Sequence, residues 1–144
     1  MRKFKLAKNV ILVSILSLSI YGCATPAVRA LETEQSQVKL RSIQTRAFDT
    51  TDKKKMMQNI MSTMQDLNFV IDKADLVLGS VTGTKFMGYS SVTMSVTVRP
   101  RGEKQLMVRA NAQYGIRTVE DPKTYQDFFT ALEKSIFLTG QEVD

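Results

Sequence analysis

The fold of this protein is decided by residues 91–114, which read SVTMSVTVRPRGEKQLMVRANAQY. From Val92 to Val98 every second residue is apolar and the others are serine or threonine, which is the period of a strand with one apolar face. Residues 105–114 alternate in the same way, from Leu106 to Tyr114. Residues 100–103 contain proline and glycine between the two runs. The stretch therefore predicts an antiparallel hairpin.

Two helices are predicted outside this hairpin. Residues 53–67 carry apolar side chains at spacings of three, four and seven, after an Asp49–Asp52 cluster with capping chemistry and before a stop at Asn68. Asp121 and Pro122 open a second helix, which Gly140 ends. The two apolar stripes comprise Met56, Met57, Ile60, Met61, Met64 and Leu67, and Tyr125, Phe128, Phe129, Leu132, Ile136 and Phe137.

The remaining strands complete a sheet. Residues 40–48 predict a first strand, and residues 69–85 predict a second that bends at Asp75 and carries Gly79 and Gly83 as a bulge or a close contact. The predicted order is β-α-β-β-β-α. We therefore expect an α+β two-layer sandwich, with an antiparallel sheet and both helices on one face, and hydroxyl groups and charges on the other.

The N-terminal segment has the organisation of a secretion signal. Residues 1–8 are basic, and residues 10–20 (VILVSILSLSI) are uncharged and apolar apart from three serines. Eleven residues are well short of the roughly 20 that a membrane-spanning helix needs. The sole cysteine of the chain, Cys23, follows directly after Tyr21 and Gly22. This arrangement predicts a signal peptide over residues 1–22.

The end of this signal resembles the lipobox of bacterial lipoproteins. Ile20, Gly22 and Cys23 match it, whereas Tyr21 departs from the small residue usual there. The resemblance implies cleavage between Gly22 and Cys23, a diacylglycerol on the Cys23 thiol and an added acyl chain such as palmitate. Two or more acyl chains anchor a protein stably. The alternatives are an uncleaved anchor with an incidental cysteine and an ordinary signal that leaves a free thiol.

The domain organisation and location follow from the anchor. Residues 23–39 contain few large apolar side chains and predict a flexible tether, residues 40–140 predict a periplasmic domain, and residues 141–144 predict a tail. Ala24 follows the cysteine, where an aspartate commonly retains lipoproteins of Gram-negative bacteria in the inner membrane. For such a source the resemblance implies the periplasmic face of the outer membrane.

Composition excludes several functional classes. The net charge of +6 falls to +2 without the four basic residues of the predicted signal, which is too weak to indicate nucleic-acid binding. The chain has no histidine and one cysteine, so zinc patterns and His-based catalytic triads are absent. We therefore expect a protein that is not an enzyme and has no metal and no cofactor.

Several polar motifs have two interpretations. Asp72 and Asp75 are typical of turn residues but could pair as acid and base or hold a cation, and residues 79–83 (GSVTG) are strand glycines or a partial phosphate loop. Lys53-Lys54-Lys55 is a solvated first turn or a contact for lipid head groups or polyanions.

A basic rim is formed by Arg99, Arg101, Lys104 and Arg109. The rim either protects a sheet edge or touches peptidoglycan, lipopolysaccharide phosphates or an acidic partner.

The two apolar stripes also have two interpretations. A methionine-rich helix face and an aromatic helix face are typical of a core. Both can also serve as adaptable binding surfaces.

Residues 44–85 and 121–138 resemble a group of small proteobacterial lipoproteins, in which a strand enters a helix through an Asp-rich turn and a final helix carries Tyr-x-x-Phe-Phe. The resemblance implies no catalytic motif. The order of elements also resembles, more weakly, the helix-grip domains of BamC, a lipoprotein of the outer-membrane barrel-assembly machinery.

The sequence predicts a non-enzymatic, membrane-anchored lipoprotein that is an accessory or structural component of a cell-envelope complex. Its expected partners are the membrane, through Cys23, and an envelope protein. The alternative is a periplasmic carrier of a small ligand or lipid, held between sheet and helices in a cavity lined by the methionine and phenylalanine stripes.

Overall fold

The structure is a computed structural model, and it describes residues 36–139. The predicted signal, Gly22, Cys23, most of the tether, Gly140 and the tail lie outside the described residues. The compact unit that carries the sheet begins at residue 37.

The described residues form three helices and six strands. In chain order they are α1 (residues 36–43), β1 (Thr45–Phe48), α2 (Lys53–Asp66), β2 (Val70–Asp75), β3 (Ser80–Met87), β4 (Ser90–Arg101), β5 (Gln105–Tyr114), β6 (Arg117–Thr118) and α3 (Pro122–Thr139). The predicted α+β class is confirmed. The order has two strands more than predicted, because a turn splits the second predicted strand and β6 follows β5.

The sheet is antiparallel throughout, with the strand order β1-β5-β4-β3-β2. The predicted hairpin of residues 91–114 forms the centre of the sheet, since Val92 pairs with Tyr114 and Arg101 pairs with Gln105. β1 and β6 share one edge of β5: β1 pairs with residues 106–109 and β6 with residues 113–114.

Helices α2 and α3 cover one face of this sheet and bury its apolar residues. The buried side chains come from both helical stripes and from alternate sheet positions: Met56, Met57, Ile60, Met64, Phe69, Val81, Met94, Val96, Val98, Leu106, Val108, Ala110, Ala112, Tyr125, Phe128, Phe129 and Leu132. Both stripes are thus mainly core, as the simpler interpretation predicted. The pleat sends the intervening serines, threonines and arginines to the opposite, open face.

The sequence prediction placed the start of the first strand at residue 40, and the strand begins only at Thr45. Residues 36–43 are helical and only Thr45–Phe48 pair with β5. Leu40 and Ile43 are three residues apart, so a helix places both on one side, and both pack against the core. Gln44 then joins helix to sheet, since its carbonyl accepts from the Ala110 N–H (2.9 Å).

Phe137 was predicted in the aromatic stripe, and this is wrong: its side chain is 66% exposed. Leu132 is the last fully buried residue of α3, and Ile136 only packs against the margin of the core. The final turn of α3 therefore holds Phe137 and Leu138 in solvent.

The predicted ends of α2 and the predicted start of α3 are confirmed. Asp52 is the N-cap of α2 and its carboxylate accepts from the Lys55 N–H (2.9 Å). Asn68 has a φ of 65°, the left-handed conformation that ends a helix. Asp121 accepts from the Lys123 N–H (3.1 Å) at the start of α3. Short polar side chains here satisfy free backbone donors of the first turns.

Candidate docking surfaces at the two ends of the sheet

The strand register divides the molecule into two ends. Ser80 pairs with Thr97, so the β2–β3 turn (residues 76–79) and the β4–β5 turn (residues 102–104) lie together, beside the start of α2. We call this the lysine end. The β3–β4 turn (residues 88–89) and the β5–β6 turn (residues 115–116) lie at the opposite end of the same strands. We call this the aromatic end.

The β2–β3 turn at the lysine end exposes three consecutive aliphatic residues. Leu76, Val77 and Leu78 project from the turn, and Val77 is 88% exposed. The turn is held by hydrogen bonds from Leu78 N–H to the Asp75 carboxylate (2.8 Å) and from Lys53 Nζ to the Val77 carbonyl (2.9 Å). Turns are usually built from Gly, Pro, Asn, Asp and Ser, so aliphatic side chains here serve no need of the turn itself.

Gly79 fixes this turn against the sheet. It is buried, has a φ of +66°, and its carbonyl accepts from the Val98 N–H (2.8 Å). A Cβ at this position would lie 2.6 Å from the Val98 carbonyl oxygen and 2.6 Å from Lys53 Cε. Gly83 is equally confined, with the Val70 carbonyl 2.8 Å from a Cβ. The predicted close contacts at both glycines are confirmed, and the phosphate-loop interpretation is wrong, because residues 80–83 are a paired strand.

The structure separates the three lysines at the start of α2. Lys53 is half-buried and ties the β2–β3 turn, whereas Lys54 and Lys55 are exposed. Cations are unfavourable at a helix start, because they oppose the helix dipole. The hydrogen bond from Lys53 Nζ to the Val77 carbonyl explains why a lysine occupies this position despite the helix dipole. Lys54 and Lys55 line an open groove between α2 and α3, together with Ser135, and have no such structural role.

Three residues of the predicted basic rim lie at the lysine end. Arg99, Arg101 and Lys104 are exposed around the β4–β5 turn. Arg109 is exposed further along β5, opposite Thr97, on the open face of the sheet. Among residues 36–139, the carboxylates of this end are Asp49, Asp52, Asp75 and Glu103. Three of them accept hydrogen bonds from within the fold: Asp49 from Gln105, Asp52 from Lys55 N–H and Asp75 from Leu78 N–H.

The aromatic end exposes larger apolar side chains beside its two turns. The exposed residues are Phe86, Met87, Tyr89, Tyr114 and Ile116. Ile116 is 99% exposed at the tip of the β5–β6 turn. Gly88 and Gly115 have positive φ values, and a Cβ on either would meet no atom within 4 Å. Nothing in the described residues therefore packs against these two tips.

A small cleft opens between the sheet and the helices near the aromatic end. Its volume is about 260 Å³ and its walls are mainly apolar: Leu67, Phe69, Met87, Val92 and Met94, with Lys85, Thr124 and Asp127 at its polar positions. This is less than the 300–1,000 Å³ of a typical small-molecule site. The methionine and phenylalanine stripes otherwise fill the space in which a ligand cavity was considered.

The open face of the sheet carries a ladder of hydroxyl groups. Thr82 pairs with Ser95 (3.2 Å) and Thr84 with Thr93 (3.3 Å), and Thr84 also donates to the Asp72 carboxylate (2.7 Å). Asp72 thus lies within strand β2 on the open face of the sheet, so its prediction as a turn residue is wrong. Asp75 caps the β2–β3 turn, as the simpler interpretation predicted. Within residues 36–139 no group of three potential ligands among Asp, Glu, Cys and His comes together.

One ion pair lies on α3 near the aromatic end. Lys123 Nζ lies 2.6 Å from the Asp127 carboxylate. This hydrogen bond, with the attraction of the same carboxylate, raises the pKa of Lys123. Both groups are solvent-exposed, so we assign the pair no binding role.

A comparison with protein-family models and with curated proteins found no match to this chain. The resemblances drawn from the sequence therefore stay predictions. Among residues 36–139 there is no helix with the length and apolarity needed to traverse a bilayer.

The sequence indicated the lysine triplet and the basic rim, but not that they lie at the same end of the sheet. The sequence prediction treated residues 76–85 as one extended strand, which hid the apolar turn between them. The signal was present in Asp75 and Gly79, which bracket three aliphatic residues as a turn would. The exposure of Phe86, Tyr89 and Ile116 had no signal in the sequence, since apolar residues beside a turn are as often buried.

Proposed function

We propose that this protein is a non-enzymatic lipoprotein, anchored by Cys23 to the periplasmic face of the outer membrane, that acts as an accessory or structural component of a cell-envelope complex. The observation that carries the proposal is the position of the sole cysteine, which directly follows an eleven-residue apolar run and a glycine. All core residues come after residue 39. An anchored N-terminus therefore leaves the core of the domain intact.

The aromatic end supports a protein partner. Aromatic residues and methionine are enriched where proteins bind one another, and a few such side chains dominate the binding energy. Phe86, Tyr89 and Ile116 offer this chemistry on two adjacent turns. We therefore propose that an envelope protein with an apolar recess receives this end.

Site-specific photo-crosslinking in intact cells tests the partner. A photoreactive residue at Tyr89 is expected to give a discrete protein adduct, whereas the same residue at Lys104, which is also exposed but on the opposite end, gives none. Mass spectrometry of the adduct identifies the partner. No adduct at position 89, or identical adducts at both positions, would contradict a partner at the aromatic end.

The anchor has its own test. Cys23→Ser removes the thiol that would receive the diacylglycerol, so the protein is expected to leave the membrane fraction and to carry no acyl mass. Because the core lies far along the chain, circular dichroism of this variant should match the parent. Unchanged membrane fractionation would argue against lipidation at Cys23.

A carrier of a small apolar ligand is the second candidate, and the cleft near Phe69 and Met94 favours it. Its volume suits only a small molecule or the end of an acyl chain. Native mass spectrometry of the purified protein distinguishes the two functions. A retained ligand that is lost in a Met94→Trp variant, which fills the cleft, supports the carrier.

A further inference from the structure

The lysine end combines an apolar turn with a surplus of cations. Leu76, Val77 and Leu78 are held outward by hydrogen bonds from Lys53 and to Asp75, so they cannot fold back onto the core. Helix α3 runs antiparallel to α2, since Ser135 lies beside Lys54 and Lys55, and its last turn brings exposed Phe137 and Leu138 to the same end. Five apolar side chains therefore project at this end.

Cations surround these side chains. Lys54, Lys55, Arg99, Arg101 and Lys104 are exposed there, and Lys53 is half-buried. Against these six cations, the described residues of this end carry four carboxylates, which leaves a surplus of two positive charges. Aliphatic side chains that enter the acyl boundary, flanked by lysine and arginine at the level of the phosphates, are the pattern of an interfacial membrane contact.

We propose that the lysine end docks on an anionic lipid bilayer, with Val77 and its neighbours in the acyl boundary and the exposed lysines and arginines against the lipid phosphates. The opposite, aromatic end then points away from the membrane. The aromatic end is not the membrane contact in this arrangement. Among the described residues, Lys85 and Arg117 adjoin its exposed tips and Lys123 is paired with Asp127, so it offers fewer free cations than the lysine end.

The length of the N-terminal segment permits this orientation. The 13 residues from Cys23 to Gln35 span at most about 45 Å. The longest strand, β4, has 12 residues and spans about 40 Å. An anchor at Cys23 can therefore reach the bilayer with either end of the domain on it, and the charges and apolar turn select the lysine end.

The absence of tryptophan from the chain allows a clean test. A chain that begins at Ala24 keeps every core residue and lacks the anchor, so vesicle binding reports on the domain alone. Val77→Trp in this chain is expected to show blue-shifted emission and quenching by brominated lipid on vesicles of phosphatidylethanolamine and phosphatidylglycerol. On phosphatidylcholine vesicles the response should be much weaker. Ile116→Trp, the matched reporter at the aromatic end, should keep the emission of a water-exposed indole.

Charge variants supply the second control. Lys54→Gln with Lys55→Gln in the Val77→Trp chain is expected to weaken vesicle binding about tenfold or more. Arg117→Gln with Lys123→Gln, which removes the same charge at the aromatic end, should leave binding close to that of the parent. Neither pair touches the turn, and circular dichroism verifies that both variants fold.

Three results would overturn the proposal. Val77→Trp could keep the emission of water-exposed tryptophan on anionic vesicles, or both reporters could be quenched equally. A photoreactive residue at position 77 in intact cells could also give a discrete protein adduct, which would mean that a protein covers this turn; lipid adducts support the membrane contact. Because the vesicle test uses a chain without Cys23, its failure and a failure of lipidation are separate results.

Discussion

The two ends of the sheet both expose apolar side chains, but they hold them in different ways. At the lysine end, the β2–β3 turn is tied to α2 by Lys53 and to β4 by the hydrogen bond between Gly79 and Val98. At the aromatic end, a Cβ placed on Gly88 or Gly115 would have no atom within 4 Å, so no other element of residues 36–139 packs against these two positions. A turn fixed on two sides presents a rigid apolar point, whereas free hairpin tips can adapt to a partner. Apolar side chains that are similarly exposed at the two ends therefore have different structural origins.

The largest expected effect comes from glycine substitution at the tied turn. Gly79→Ala should lower the free energy of unfolding by about 2–4 kcal/mol, because it adds a left-handed backbone penalty to a clash with the Val98 carbonyl. Gly115→Ala should cost only about 1 kcal/mol, because it meets the backbone penalty in open space. Urea denaturation measures both. Equal losses would remove the distinction between tied and free turns.

The aromatic end is fixed from beneath by Tyr125 rather than by its turns. The buried Tyr125 hydroxyl donates to the Val119 carbonyl and accepts from Gln44 Nε2 (3.1 Å) and the Ala112 N–H (3.3 Å). Tyr125→Phe leaves these groups without a partner and should lower the free energy of unfolding by about 1–3 kcal/mol. Tyr89→Phe, which removes a solvent-exposed hydroxyl, is the control and should be neutral in the same urea titration.

A smaller effect is expected from the lysines. Lys53→Met should lower the free energy of unfolding by about 1 kcal/mol, because the Val77 carbonyl loses its donor. Lys54→Met should be neutral or slightly stabilising, since it removes only an exposed cation from a helix start. Thermal denaturation at low ionic strength compares them. A loss at Lys54 as large as that at Lys53 would mean that the turn does not depend on this bond.

The smallest effect is expected at the free tips. Ile116→Ser changes a side chain that touches nothing, so stability should stay within about 0.5 kcal/mol of the parent. Crosslinking from position 89 should nevertheless fall when Ile116 is changed, if both tips contact one partner. Unchanged crosslinking would restrict the proposed contact to the β3–β4 turn.

Local sequence signals predicted most of the elements. The alternation from Val92 to Tyr114 predicted the central hairpin, and Asp52 and Asn68 marked the ends of α2 within a residue or two. These signals succeed because strand period and capping depend on neighbouring residues only. Residues 40–43 were mistaken for the start of a strand, because the helical spacing of Leu40 and Ile43 is too short a signal to recognise without their contact with the core.

The α+β class, most of the apolar stripes of the core and the lipobox-like segment around Cys23 can be recognised in the sequence. Which residues share an end depends on tertiary packing. Lys53, Val77 and Val98 are distant in the chain, and the antiparallel register brings them within hydrogen-bonding reach of one turn. Phe137 is exposed because the last turn of α3 extends beyond the core. The periodicity of apolar residues in the sequence determines which side of a helix or strand is apolar. Packing against other elements determines whether that side is buried.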